Sequence, residues 1–204
     1  PPMNQILLSS SGSGLTNVAQ GSDQLVIQYQ PMTVGGFDCE GREITNSNRI
    51  IVQRYFLRTD ANQATGETNP LALACDAGHY AVGDNTVTNY GDAGEIIMKR
   101  VDYFRVLLNV ANAAGAQRYV AINNYLTLTP RPRILGVSLG VLTRSAQSVG
   151  TDQAIAQNNN FTVLDQTVQV TNTGNPNGYM RRVVTQDVAL RNALGEREEV
   201  QDAE

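Results

Sequence analysis

Residues 134–144, ILGVSLGVLTR, put Leu135, Val137, Leu139 and Val141 at every second position, with Gly136, Ser138 and Gly140 between them. A period of two is that of an extended strand, whose side chains alternate between two faces. One face must be buried. The other carries almost no side-chain bulk, so a further layer can approach it closely. A central strand of a sheet meets both demands, and a sheet needs neighbours of the same kind.

The chain supplies them. Residues 25–29 alternate and end at Pro31, followed by the turn cluster VGGFDCEG. In RIIVQRYFL, residues 49–57, Ile50, Val52 and Phe56 share a face with Arg54, opposite Ile51, Gln53, Tyr55 and Leu57. Residues 71–75 read as a short strand or turn. The run EIIMKRVDYFRVLLNV, residues 95–110, reads as one long strand because it is rich in β-branched and aromatic side chains. The Ala and Gln content of 116–125 suggests a short helix, stopped by TPRPR. Residues 161–170 and 179–192 are expected as the last two strands, joined by TNTGNPNG as a hairpin loop. In 179–192, charges alternate with Val184, Val188 and Leu190, as in a half-buried strand. The segment 181–192 is therefore expected as an interior strand whose valines reach the core and whose arginines pair with acids on neighbouring elements.

Catalytic and metal motifs are absent. No phosphate-binding loop, no GxGxxG, no GxSxG elbow and no pair of carboxylates set for acid–base work appears. His79 is the only histidine and lies in a loop-like stretch, DAGHYAVGDN. Two cysteines without CxxC spacing and one histidine make a poor zinc set. Asp84, Asn85 and Asp92 offer oxygen ligands to calcium, but the twelve-residue EF-hand pattern is missing. No cofactor and no enzyme activity is expected. Cys39 and Cys75 are either free thiols or one disulfide. Both sit beside Asp and Gly in turn-like settings, which favours a bridge closing a loop of 37 residues. In the chain-entropy model such a bridge contributes roughly 4 kcal/mol and belongs outside a reducing cytosol.

The formal charge of -4 resides in the last nine residues, EREEVQDAE, and the other 195 of the 204 are neutral in sum. Residues 196–204 are expected as a solvated, disordered tail. A neutral body carries no global footprint for nucleic acid, although Arg131 with Arg133, or Arg181 with Arg182, could form a local patch. No apolar run is long enough to span a membrane, and no signal segment opens the chain. Residues 1–21 read as a linker or remnant and 22–195 as the globular domain.

The order of landmarks adds to this. SDQLVIQYQ, DCEG, RIIVQRYFL, LALACDAG, RVDYFRVLLNV, RILGVSLGVLTRS and MRRVVTQDVALRN follow one another. Over residues 22–194 the series resembles the PilW family of minor pilins of type IV pilus systems. That family ends its globular domain in a segment like 181–192. It places its cysteines in DC-x-G and L-x-C settings like Cys39 and Cys75, and it has a V-x-L-x-x-L-x-R-(S/T) strand like 137–145.

The resemblance implies an α+β, pilin-like fold: a mostly antiparallel sheet against an N-terminal helix that is truncated here, leaving a soluble fragment. It implies a structural subunit that primes pilus assembly at the inner membrane, facing the periplasm, and stays at the extracellular tip. Its partners would be other minor pilins, the major pilin fibre and a PilY-type adhesin, with attachment, twitching motility and DNA uptake depending on the fibre. The alternatives are a J-type pseudopilin of type II secretion and a DNA-uptake pilin.

Overall fold

Eleven strands and one short helix make up the computed structural model, which describes residues 7–63, 67–148, 159–171, 178–191 and 193. In chain order they are β1 (Ser10–Gly14), β2 (Ser22–Tyr29), β3 (Ile50–Thr59), β4 (Leu71–Tyr80), β5 (Glu95–Lys99), β6 (Val101–Ala111), β7 (Gln117–Ala121), α1 (Ile122–Leu126), β8 (Arg133–Arg144), β9 (Asn160–Val163), β10 (Gln166–Gln169) and β11 (Arg181–Ala189). The first five form an antiparallel meander, β1-β2-β3-β4-β5. A second antiparallel sheet has the order β11-β8-β6-β7, and β9 and β10 make a separate hairpin.

The core lies in two layers. Leu25, Leu57, Leu71 and Leu73 of the first sheet meet Phe104, Val106, Leu108, Val110, Val137 and Val141 of the second. The opposite face of the second sheet carries Tyr103 and Leu142, covered by Val163 and Val168 of the hairpin and by Val18 and Val170. Strand β6 is covered on both faces, which is why nearly every one of its residues is buried. Strand β8 pairs with β6 on one side and β11 on the other, as its alternation requires. Its small face also receives a layer: a Cβ on Gly140 would stand 2.7 Å from Val163 Cγ1 and 2.9 Å from Leu164 Cγ.

Several expectations are corrected. The class is mostly antiparallel β rather than α+β, with α1, five residues long, the one helix among the described residues. No helix there is long and apolar enough to cross a membrane. The run 95–110 breaks at Arg100, whose φ of 60° turns the chain from the first sheet into the second. The expected helix over 116–125 is strand β7 followed by α1, because Gln117–Ala121 completes an edge of β6. Residues 71–75 are half of a ten-residue strand. The expected strand 161–170 folds back on itself at Leu164, whose φ is 55°, and β11 pairs with β8 rather than with it. The fold also begins inside the stretch read as linker, since β1 pairs with β2 and Asn17 and Val18 are buried. The acidic tail lies outside the described residues.

Candidate docking surface

Strand β11 is held at its start by charge. Arg181 Nε lies 2.8 Å from Asp102 Oδ2, and Arg144 Nε lies 3.8 Å from Asp102 Oδ1; all three side chains are buried. Asn17 Nδ2 donates to the same carboxylate at 2.9 Å, and Arg144 stacks over the Tyr179 ring at 5.1 Å. The expected pairing of arginines with neighbouring acids therefore holds for Arg181. Arg182, the next residue, faces solvent, so the two do not form a cationic patch.

Beyond this anchor the strand is an edge, not the interior strand expected from its alternation. Ser145 N–H donates to Met180 O at 2.8 Å and Leu190 N–H to Leu135 O at 2.9 Å. An antiparallel ladder alternates, so the even-numbered residues between them bond to β8. The N–H and C=O groups of Val183, Thr185, Asp187 and Ala189 point the other way, where no strand follows among the described residues. The apolar side chains are open as well: Met180 is 54% exposed, Val184 47%, Val188 42% and Leu190 39%. Asp187 is the one acid on the strand, and the Ser138 hydroxyl donates to its carboxylate. An edge with free ladder groups and exposed apolar side chains is a template for another strand.

In the first sheet, the part of β4 that runs past its edge neighbour β5 is closed by side chains. Strand β5 pairs with β4 only as far as Cys75. Past that point Glu40 Oε2 accepts from Ala77 N–H at 3.0 Å, and Arg42 Nη1 donates to Ala77 O at 2.8 Å. A Cys39–Cys75 disulfide, Cα atoms 6.1 Å apart, fixes the loop that carries both side chains. Cys75 is fully buried inside a strand, not in a turn; the Asp and Gly beside it belong to that strand.

The acids near this clamp have work already. Glu40, Asp76 and Asp92 offer oxygens within 4.8 Å of one another. Burial pushes the Asp76 carboxyl up, against the hydrogen bond from Gly91 and the charge of Arg54, whose Nη2 is 2.8 Å away. Burial likewise raises Glu40, against Ala77 N–H and Arg42. Asp92 accepts from Gly94 N–H at 2.7 Å. Asp92 thus stands with Glu40 and Asp76, while Asp84 Oδ2 caps Ala81 N–H at 2.7 Å. His79 sits at the end of β4 rather than in a loop, against Arg49. Burial first, and Arg49 second, hold its pKa below the ordinary value. A cavity of about 100 Å³ beside it is lined by Asp38, Arg42, Thr45 and Asn89 among others.

Sequence reasoning missed other ion pairs that hold the sheets: Arg54–Asp76, Arg105 with Asp23 and Asp165, and Arg144 with Asp102. The available signal was the charge set inside apolar runs, as in VQRYFL and RVDYFRVLL. The family model described as Type IV Pilus-assembly protein W matches residues 54–192, more than half of the chain and all of β3 to β11 except the first four residues of β3. No curated protein and no solved structure matches.

Proposed function

The chain belongs to the type IV pilus-assembly protein W family, and from that premise we propose that it is a minor pilin, a structural subunit that helps start the fibre and joins its neighbours through the open edge of β11. The observation that carries this reading is the edge itself: β11 turns the backbone groups of Val183, Thr185 and Ala189 outward, with no further strand among the described residues, beside the exposed apolar side chains of Val184 and Val188. Strand addition would give affinity through the backbone and specificity through alternate side chains. In this reading the partners are other minor pilins and, at the tip, a PilY-type adhesin. The family is one of pilus assembly, and the reading needs no catalytic step.

The test is co-purification of the domain with the other minor pilins of its own operon, using the parent and a Val184→Lys, Val188→Lys variant. Both side chains are half exposed, so the variant folds, and its far-ultraviolet circular dichroism matches the parent. Recovery of partners falls at least about tenfold, the equivalent of about 1.4 kcal/mol. Unchanged recovery by the folded variant refutes docking at β11.

A further inference from the structure

The open part of β11, from Val183 to Ala189, reads Val-Val-Thr-Gln-Asp-Val-Ala. The order is close to a palindrome about Gln186. Thr185 and Asp187 flank it, then Val184 and Val188, then Val183 and Ala189. An edge of that kind is complementary to itself when it is turned around.

The ladder decides where the turn can be made. The odd-numbered residues direct their backbone groups outward, so two copies related by a two-fold axis bond only where odd meets odd. The axis then passes through a residue. Through Asp187, it sets one carboxylate against the other. Through Thr185, it sets Asp187 against Val183 and Gln186 against Val184. Through Val184, it sets Asp187 against Arg181, whose guanidinium is already buried on Asp102. Through Gln186, it sets Val184 of each copy against Val188 of the other, on the face where both side chains are half exposed, with the two Gln186 amides between them.

The other face fits the same register. The Ser138 hydroxyl takes Asp187 Oδ1, which leaves Oδ2 to accept from the Thr185 hydroxyl of the second copy. Val183 packs under the hairpin and meets the small Ala189. Gln186 Nε2 donates to Asp187 O at 3.0 Å, and that carbonyl keeps a second lone pair for the ladder. Leu190 O accepts from Ala193 N–H at 3.1 Å, so the chain turns away before Arg191 reaches Arg181 of the second copy.

We propose that β11 pairs with β11 of a second copy of this chain, antiparallel, about a two-fold axis through Gln186. The inference rests on the reading of β11 as a docking edge and names what occupies that edge before assembly. Two four-stranded sheets join into one of eight, and an edge that would otherwise invite aggregation is closed. A pilus subunit that joins at β11 must displace the second copy.

Cross-linking of the full chain reads the register. The two Gln186 residues form a non-hydrogen-bonded pair with Cα atoms about 4.5 Å apart, inside the roughly 4.4–6.8 Å that a disulfide spans. Gln186→Cys therefore oxidises to a covalent dimer, while the native cysteines stay bonded to each other. Arg182→Cys lies about 26 Å from its own copy, at about 3.3 Å per residue. It stays uncross-linked alone and cross-links when mixed with Leu190→Cys. Sedimentation velocity shows the parent moving from monomer to dimer as concentration rises. Val184→Lys with Val188→Lys, which sets lysine against lysine, weakens that association at least about tenfold. A parent that is monomeric throughout overturns the proposal, as does Arg182→Cys alone cross-linking as fast as Gln186→Cys. Co-purification with the minor pilins separates this result from the reading beneath it. A monomeric parent that still recovers them through β11 overturns self-pairing alone. A Gln186→Cys dimer that recovers them as well as the parent upholds self-pairing and shows that the partners join elsewhere.

Discussion

Asp102 is the carboxylate shared by two buried arginines, Arg144 and Arg181, and by Asn17. Removing one member of a buried ionic cluster leaves uncompensated charge and costs about 3–5 kcal/mol. Asp102→Asn keeps the shape and removes the charge, so urea denaturation should show a loss of that size; a loss below about 1 kcal/mol means that water reaches the cluster. His79 gives a smaller, pH-dependent effect. Its folded pKa lies below the ordinary value, so on acidification the unfolded chain takes up the proton first. The stability in question is present above the unfolded value and is lost as pH falls through the folded one. Burial raises Asp76 and Glu40 instead, so their linkage runs the other way. Comparing His79→Gln with the parent at each pH cancels the acids. The variant's melting temperature should fall less between pH about 7 and about 5. Parallel curves for the two proteins mean that His79 is solvated. Pilus assembly should be near normal in the variant.

Strand β11 shows what alternation can and cannot say about an element. Val184 and Val188 do share a face with Val137 and Val141 across the ladder with β8. The pattern tells that a face is apolar, but not whether the opposing sheet extends far enough to cover it. Here it does not, and the two side chains stay half exposed. Val188→Asp should therefore cost about 1 kcal/mol or less and leave a cooperative thermal melt, as surface substitutions do. Val106→Asp, at a fully buried site on β6, should abolish folding. A failure of Val188→Asp to fold would restore the interior assignment. The same limit explains the other elements. Strand β8 was legible because both its faces carry a signal. The break at Arg100 was not, because composition is equally β-rich on either side of one residue with positive φ. Gln117–Ala121 has helix-forming residues, but an open edge of β6 offers them five paired positions, and tertiary pairing overrides propensity. Gly140 was read correctly as a site of close approach. Gly140→Val should cost about 1–3 kcal/mol, because its side chain would enter the space of Val163 and Leu164.

At the scale of the molecule the chain divides at Arg100. Every strand before it belongs to the first sheet, and every strand after it to the second sheet or the hairpin. The disulfide joins two residues of the first half, so it constrains only that half. What ties the first half to the far side of the second sheet is the stretch that composition marks as a linker. Asn17 N–H donates to Asp102 O at 2.8 Å, Ala19 N–H to Gln169 O at 2.9 Å, and Thr171 N–H to Asn17 O at 3.0 Å. Val18, 3% exposed, enters the core under the hairpin. Burial of such a side chain contributes about 1.5–3 kcal/mol. Removing residues 1–19 takes away both Val18 and β1, so it should loosen β2, which loses that ladder, and also the hairpin, some 140 residues away in sequence. Hydrogen exchange would read this as faster exchange of the β9 and β10 amides, with β3 and β4 still protected by their own ladder and the Cys39–Cys75 bridge. Replacing both cysteines by serine should give the opposite map: faster exchange in residues 36–44 and at the end of β4, with the hairpin unchanged. If truncation leaves the hairpin amides at the parent's protection, Val18 is not part of that core. The stretch then serves only through β1, and the second sheet and the hairpin hold together without Val18.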